Sequence, residues 1–174
     1  DYARKTFPAA RFLMQTNGTL IDDAWIDFFR ANNLGVGISL DGYAEIHDKN
    51  RRTKTGEPTA EKILANLEKM RGAGLHVGTL MVMNAAENVD ADKLFDFIRA
   101  NNLQPKIHPV IACGRASART DAGNVYAAWV EVMKKLLARA FADRETEIIQ
   151  PLVETINAIL GISPMHECSF NGSC

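Results

Sequence analysis

Gln15-Thr16-Asn17-Gly18 and Ser39-Leu40-Asp41-Gly42 close two short apolar runs, at residues 11–16 and 35–40. An apolar run halted by Asn-Gly or Asp-Gly reads as a β-strand that stops at a turn. Between the two the period lengthens. Ile21, Trp25, Ile26, Phe28 and Phe29 fall on one helical face, with Asp22 or Asp23 placed to cap its start and Asn32-Asn33 to end it.

The same alternation runs outward from this unit. Residues 43–58 carry charge without an apolar period and read as a loop, with one helical turn near Glu45. A helix starts near Thr59, buries Ile63, Leu64, Leu67 and Met70, and closes at Gly72 and Gly74. Residues 76–83 form a third strand and residues 91–100 a third helix with Leu94, Phe95 and Ile98 inward. Residues 106–111 are a fourth strand candidate, flanked by Pro105 and containing Pro109. Strand and helix alternate with no hairpin signal, so an α/β fold of parallel strands with helical crossovers is expected, its strands apolar on both faces. Residues 122–142 and 148–160 then read as consecutive amphipathic helices. The chain divides into strand–helix units at 1–120, a terminal helical layer and bridge at 121–165, and a short closing segment at 166–174.

Apolar residues make up 47% of the 174 positions, enough for a real core, and the net charge of -1 selects no partner. No basic stripe with interleaved aromatics is visible, which argues against nucleic acid. Apolar runs such as residues 77–83 are too short to span a bilayer. No leader opens the chain, and two of the three cysteines sit in its last seven residues. Reduced thiols and a cytoplasmic protein are the expectation. The start at Asp1 and the end at Cys174 read as cuts through a longer protein.

Parallel α/β folds bind ligands at the carboxyl ends of their strands. Those ends supply Gln15 and Asn17, Ser39 and Asp41, Met83 and Asn84, and the segment from His108 to Cys113. Asn-Gly and Asp-Gly make turns by themselves, but Gln15 and Ser39 are not needed for turning, so their pairing at adjacent strand ends favours a site. Arg51 can reach the same mouth and suits a carboxylate. Arg52 and Lys54 read as solvated, and His47 as equally able to cap a turn. Cys168 and Cys174 are spaced to share a metal or iron–sulfur cluster that two ligands do not complete. Cys113 reads as a small buried residue, His76 as structural, and Trp25 and Trp129 as core.

Residues 15–23 (Gln-Thr-Asn-Gly-Thr-Leu-Ile-Asp-Asp), 36–42 (Val-Gly-Ile-Ser-Leu-Asp-Gly) and 47–51 (His-Asp-Lys-Asn-Arg) together resemble the radical SAM enzymes of the SPASM group, nearest the anaerobic sulfatase-maturating enzymes. Cys168 and Cys174 resemble the opening of the SPASM auxiliary-cluster segment. The resemblance implies a partial (β/α)6 barrel, C-terminal helices and the start of a SPASM segment at 166–174. It implies S-adenosyl-L-methionine and [4Fe–4S] clusters as cofactors, with reductive cleavage to a 5′-deoxyadenosyl radical. In the sulfatase-maturating members that radical takes a hydrogen from a target Cys or Ser, and oxidation yields formylglycine. The implied partners are a protein or peptide substrate, a sulfatase among them, and an electron donor such as flavodoxin or ferredoxin. Ser39 and Arg51 match positions that hold the cofactor's methionine carboxylate. Gln15, Asn17 and Asp41 match mouth positions near cofactor or peptide, and Cys168 and Cys174 match auxiliary-cluster ligands. Gln15 and Asn17 are expected on the cofactor side, and Asp41 with the strand-end residue Asn84 on the substrate side.

The Cys-x3-Cys-x2-Cys motif of that family is not in this chain and is expected before Asp1, and the remaining SPASM cysteines and a catalytic acidic residue beyond Cys174. This piece alone is expected to be inactive. Tyr43 stands where many relatives have proline. Three alternatives remain open. One is a SPASM maturase of ribosomal peptides. Another is an α/β barrel enzyme for a phosphorylated or sugar substrate, with Asp41 and His47 as acid and base. The third is a non-catalytic module that recruits a peptide partner.

Overall fold

A computed structural model of the chain describes residues 2–84, 87–111, 122–145 and Ile149. A short helix α1 (Tyr2–Thr6) precedes β1 (Leu13–Thr16), α2 (Asp23–Ala31), β2 (Gly35–Ser39), α3 (Ala44–Asn50) and α4 (Ala60–Gly72). Then come β3 (Val77–Met83), α5 (Ala91–Ala100), β4 (Pro105–Pro109) and α6 (Ala122–Ala142). The four strands form one parallel sheet in sequential order, β1-β2-β3-β4.

Sequential order with right-handed crossovers puts the connecting helices α2 to α5 on the same side of the sheet. Burial follows that rule. Val36 and Ile38 of β2 and Val77, Thr79, Met81 and Met83 of β3 are buried, and residues of the other parity are only partly covered, apart from Ser39 at the end of β2, which is buried. The expectation of strands apolar on both faces is therefore corrected. One face is packed under helices. The other carries Leu13 (82% exposed), Gln15, Gly37, Gly78, Leu80, Lys106 and His108. This is an arc of a barrel rather than a sheet covered twice.

Register sorts the open face into levels. Gln15, Gly37 and Gly78 lie in one row, Ser39, Leu80 and Lys106 in the next, and Val82 and His108 beyond them. Pro105 and Pro109 are accommodated by parity. Val110 N–H bonds the Met83 carbonyl at 3.0 Å, so it is the even-numbered residues of this stretch that donate to β3. The two prolines fall on the alternate positions, where no N–H toward β3 is required.

The helices end alike. Leu34 N–H reaches the Phe29 carbonyl at 3.0 Å, Leu75 the Met70 carbonyl at 3.0 Å, and Leu103 the Ile98 carbonyl at 2.9 Å. The residue before each leucine, Asn33, Gly74 and Asn102, has positive φ. This is the Schellman closure, and the leucine that follows turns the chain back toward the core. Asp22 and Asp90 cap α2 and α5, accepting from Trp25 N–H and from Asp92 and Lys93 N–H respectively.

Residues 43–58 differ from the expected loop. α3 spans seven residues, and an antiparallel bridge joins Arg52 to Pro58. Only Ile46 and His47 of α3 are buried, too few to write an apolar period. Tyr43 packs at its start, its hydroxyl accepting from Asp90 N–H at 3.2 Å and its ring lying under Lys93 Nζ. Trp25, read as core, is 43% exposed, and Phe29 takes the buried place on α2. α6 joins the main core through Val132, Met133, Leu136 and Ala140. Arg139 pairs with Asp92 and Asp96 of α5 across an exposed surface, where such pairs contribute little.

Candidate active site at the strand ends

Asp41 lies two residues beyond the end of β2 and is buried, 7% exposed. Its Oδ1 accepts the Val82 N–H of β3 at 2.9 Å and an Arg51 Nη2–H at 3.1 Å, and its Oδ2 accepts from Arg51 Nε. The carboxylate thus bridges the neighbouring strand and the guanidinium. Arg51 uses the Nε/Nη2 edge of its fork. Its Nη1 has no protein partner among the described residues, and its side chain remains 32% exposed. A second carboxylate can dock on that outer edge. Asp41, expected at the substrate, has both oxygens engaged inside the protein. It serves here to hold Arg51.

His47 lies on the buried side of α3 with no exposed surface. Its Nδ1 accepts the Asp41 backbone N–H at 3.0 Å, so that nitrogen carries no proton. Nε2 therefore carries it and donates to Thr59 Oγ1 at 3.1 Å. Thr59 Oγ1 donates in turn to the Arg51 carbonyl at 2.8 Å. Burial pushes the imidazole pKa down, the Asp41 and Asp48 carboxylates pull it up, and Arg51 pushes it down further. Asp48 Oδ1 caps α4 through the N–H groups of Thr59 (2.7 Å) and Ala60 (3.0 Å). A histidine with both nitrogens engaged and no exposure cannot serve as a solvent-facing acid or base, which removes the sequence alternative that paired it with Asp41.

Ser39 Oγ accepts from Gln15 Nε2 at 3.2 Å, which leaves its own proton free to donate. The two meet because position 37 is glycine. A Cβ there would sit 2.1 Å from Gln15 Oε1. Below this pair a cavity of about 300 Å³ opens on the uncovered face, lined by Gln15, Gly37, Gly78, Leu80 and Lys106 among others.

The other candidates separate. Asn17 is exposed, and its Oδ1 accepts from Thr19 N–H at 3.2 Å and Thr19 Oγ1 at 3.0 Å, shaping the turn after β1. Asn84 donates to Glu87 Oε1 at 2.9 Å, and its own Oδ1 is buried with no partner among the described residues. His108 lies on the open face, in register with Val82. Cys113, His166, Cys168, Cys174 and, apart from Ile149, the expected helix at 148–160 lie outside the described residues. Among the described residues no group of three or more His, Cys, Asp or Glu is placed to hold a metal, and no helix is long and apolar enough to cross a membrane.

Sequence reasoning found Gln15, Ser39, Asp41 and Arg51 but not what joins them. Thr59 reads in the sequence only as a helix start and Asp48 only as one residue of a charged segment. Asn66, whose Nδ2 donates to the Gly18 carbonyl at 2.8 Å and pins the turn after β1, was hidden inside a helical period.

A family model described as the Radical SAM superfamily matches residues 2–98. The chain belongs to the radical SAM superfamily. This radical SAM chain is 28% identical over 168 residues to a cysteine-type anaerobic sulfatase-maturating enzyme of Clostridium novyi, covering 94% of the chain and 45% of that protein. It is 41% identical over 71 residues to a serine-type anaerobic sulfatase-maturating enzyme of Bacteroides thetaiotaomicron, covering 41% of the chain and 17% of that protein. Among solved structures, native anSMEcpe with bound AdoMet superposes with a TM-score of 0.78 at 22% identity, over 94% of the chain and 46% of that structure. The same protein with AdoMet and the Kp18Cys peptide gives 0.77. The radical SAM chain thus spans about half the length of these relatives, and the shared fold is that of a partial radical SAM barrel.

Proposed function

We propose that the whole protein to which this chain belongs is an anaerobic sulfatase-maturating enzyme, converting a Cys or Ser of a protein or peptide substrate to formylglycine. The observation that carries this reading is the Asp41–Arg51 pair, which leaves one guanidinium edge free at the strand end that also bears Ser39. Ser39 O–H and the outer edge of Arg51 hold the methionine carboxylate of S-adenosyl-L-methionine. Gln15 orients the Ser39 hydroxyl, and Asn17 shapes the cofactor side of the mouth. Asp41 holds the Arg51 guanidinium in place, and Asn84 faces the substrate side. Bound S-adenosylmethionine with its [4Fe–4S] cluster supplies hydrogen-atom abstraction at an unactivated carbon.

The same reading divides the chain into barrel units at 1–120, a helical layer and bridge at 121–165, and a SPASM segment from 166, in which Cys168 and Cys174 ligate an auxiliary cluster. The electron donor is a flavodoxin or ferredoxin, and the enzyme works in the reducing cytoplasm. The test is anaerobic. The full reading frame is reconstituted with iron and sulfide and given S-adenosylmethionine, reductant and a sulfatase-derived peptide bearing the target Cys or Ser. Formation of a peptide aldehyde that reacts with a hydrazine is expected. Cofactor cleavage with a thioether crosslink on a different peptide would assign it instead to ribosomal-peptide maturation.

A further inference from the structure

We propose that His47 is a positioning residue for Arg51. As the neutral Nε2–H imidazole it ties together the backbone at both ends of the Asp41–Arg51 pair, so that Arg51 presents one fixed edge to the cofactor carboxylate. The inference rests on the carboxylate-clamp reading above and adds how the clamp is held.

The hydrogen bonds form a closed ring. Asp41 N–H donates to His47 Nδ1 (3.0 Å), His47 Nε2–H to Thr59 Oγ1 (3.1 Å), and Thr59 O–H to the Arg51 carbonyl (2.8 Å). The Arg51 guanidinium then returns to the Asp41 carboxylate, which is itself anchored on Val82 N–H. Every donor in the chain from Asp41 N–H to the Arg51 carbonyl points the same way round, an arrangement in which each bond polarises the next. The Asp41 carboxylate by itself holds only the head group of Arg51 and leaves its main chain without an anchor. The ring fixes both the main chain and the head group of that residue.

The placement is costly without such a role. A fully buried imidazole loses its hydration, and an apolar side chain would fill the same space on α3 without that penalty. Both ring nitrogens are instead satisfied by groups belonging to, or touching, the Asp41–Arg51 pair. The other tautomer would set the Nδ1 proton against Asp41 N–H and break the ring at its first link.

The test uses the full-length, cluster-reconstituted enzyme and measures equilibrium binding of two ligands, S-adenosylmethionine and decarboxylated S-adenosylmethionine. They differ only in the carboxylate. His47→Gln keeps a donor for Thr59 but removes the acceptor for Asp41 N–H. It is expected to lower the preference for the carboxylate-bearing ligand by about tenfold while leaving the decarboxylated one within about twofold. Should His47→Gln fail to fold, Thr59→Val cuts the same ring at its next link and is expected to change the preference in the same direction. Equal weakening of both ligands, or of neither, would overturn the proposal and leave His47 a packing residue. Arg51→Met is the benchmark. An unchanged preference there means the clamp reading itself fails, and a lost preference there with an intact one in His47→Gln means that only the present inference does.

Discussion

His47 is where burial, tautomer and protonation meet. Its pKa lies below the ordinary histidine value, chiefly because it is desolvated. A depressed folded-state pKa means that the unfolded chain binds the proton more readily. The stability contributed by the neutral imidazole is therefore fully present above about pH 6.5, the unfolded value, and is lost as pH falls from there toward the folded pKa. Denaturant unfolding of the whole protein from about pH 7.5 down to about pH 5 is expected to show a steeper loss of stability for the native sequence than for His47→Gln. Parallel losses would place the titrating group elsewhere. Asp48 and Arg51, which face the ring with Asp41, oppose one another in their effect and do not change the sign.

At the level of elements, one closing motif recurs. Ala31-Asn32-Asn33-Leu34 and Ala100-Asn101-Asn102-Leu103 end α2 and α5 with the same geometry, and Ala73-Gly74-Leu75 does so after α4. Asn102 holds φ at 47°, a left-handed conformation that asparagine tolerates and alanine resists. Asn102→Ala is expected to lower stability by about 1 kcal/mol, and Asn102→Gly to leave it within about 0.5 kcal/mol. Thermal denaturation of the two variants decides it, and equal melting temperatures would contradict the assignment. These endings explain why the strand–helix rhythm was legible. β2, β3 and β4 each follow an Asn-Leu or Gly-Leu closure, and β1, β2 and β3 stop at a polar residue, so most of these boundaries are written locally. α3 was not legible because only Ile46 and His47 face inward, and its remaining polar residues look like a solvated loop. The link from Asp41 to His47 and Thr59 was likewise invisible, since it needs the fold to bring residues 41, 47 and 59 together. The parity of the open strand face was missed for a similar reason. Gly37 and Gly78 read as neither apolar nor polar, yet they leave room beside Gln15 and floor the cavity.

Among the described residues, a sequential parallel sheet with its crossover helices on one side leaves the other side for chemistry. Rows of Gln15 with Gly37, and Ser39 with Leu80, climb that face toward the strand ends, where Asp41 and Arg51 sit. The arrangement pairs a small-residue floor with a rigid cationic rim, which suits a ligand carrying a carboxylate at one end. In the proposed clamp, Arg51 is held by Asp41 and grips the methionine carboxylate of the cofactor. Equilibrium binding of S-adenosylmethionine to the full-length reconstituted enzyme and its Arg51→Lys variant tests this directly. Lysine keeps the charge but lacks the second edge of the fork, so affinity is expected to fall by about tenfold or more, roughly 1.4 kcal/mol. An unchanged affinity in a folded, cluster-loaded Arg51→Lys enzyme would contradict the account.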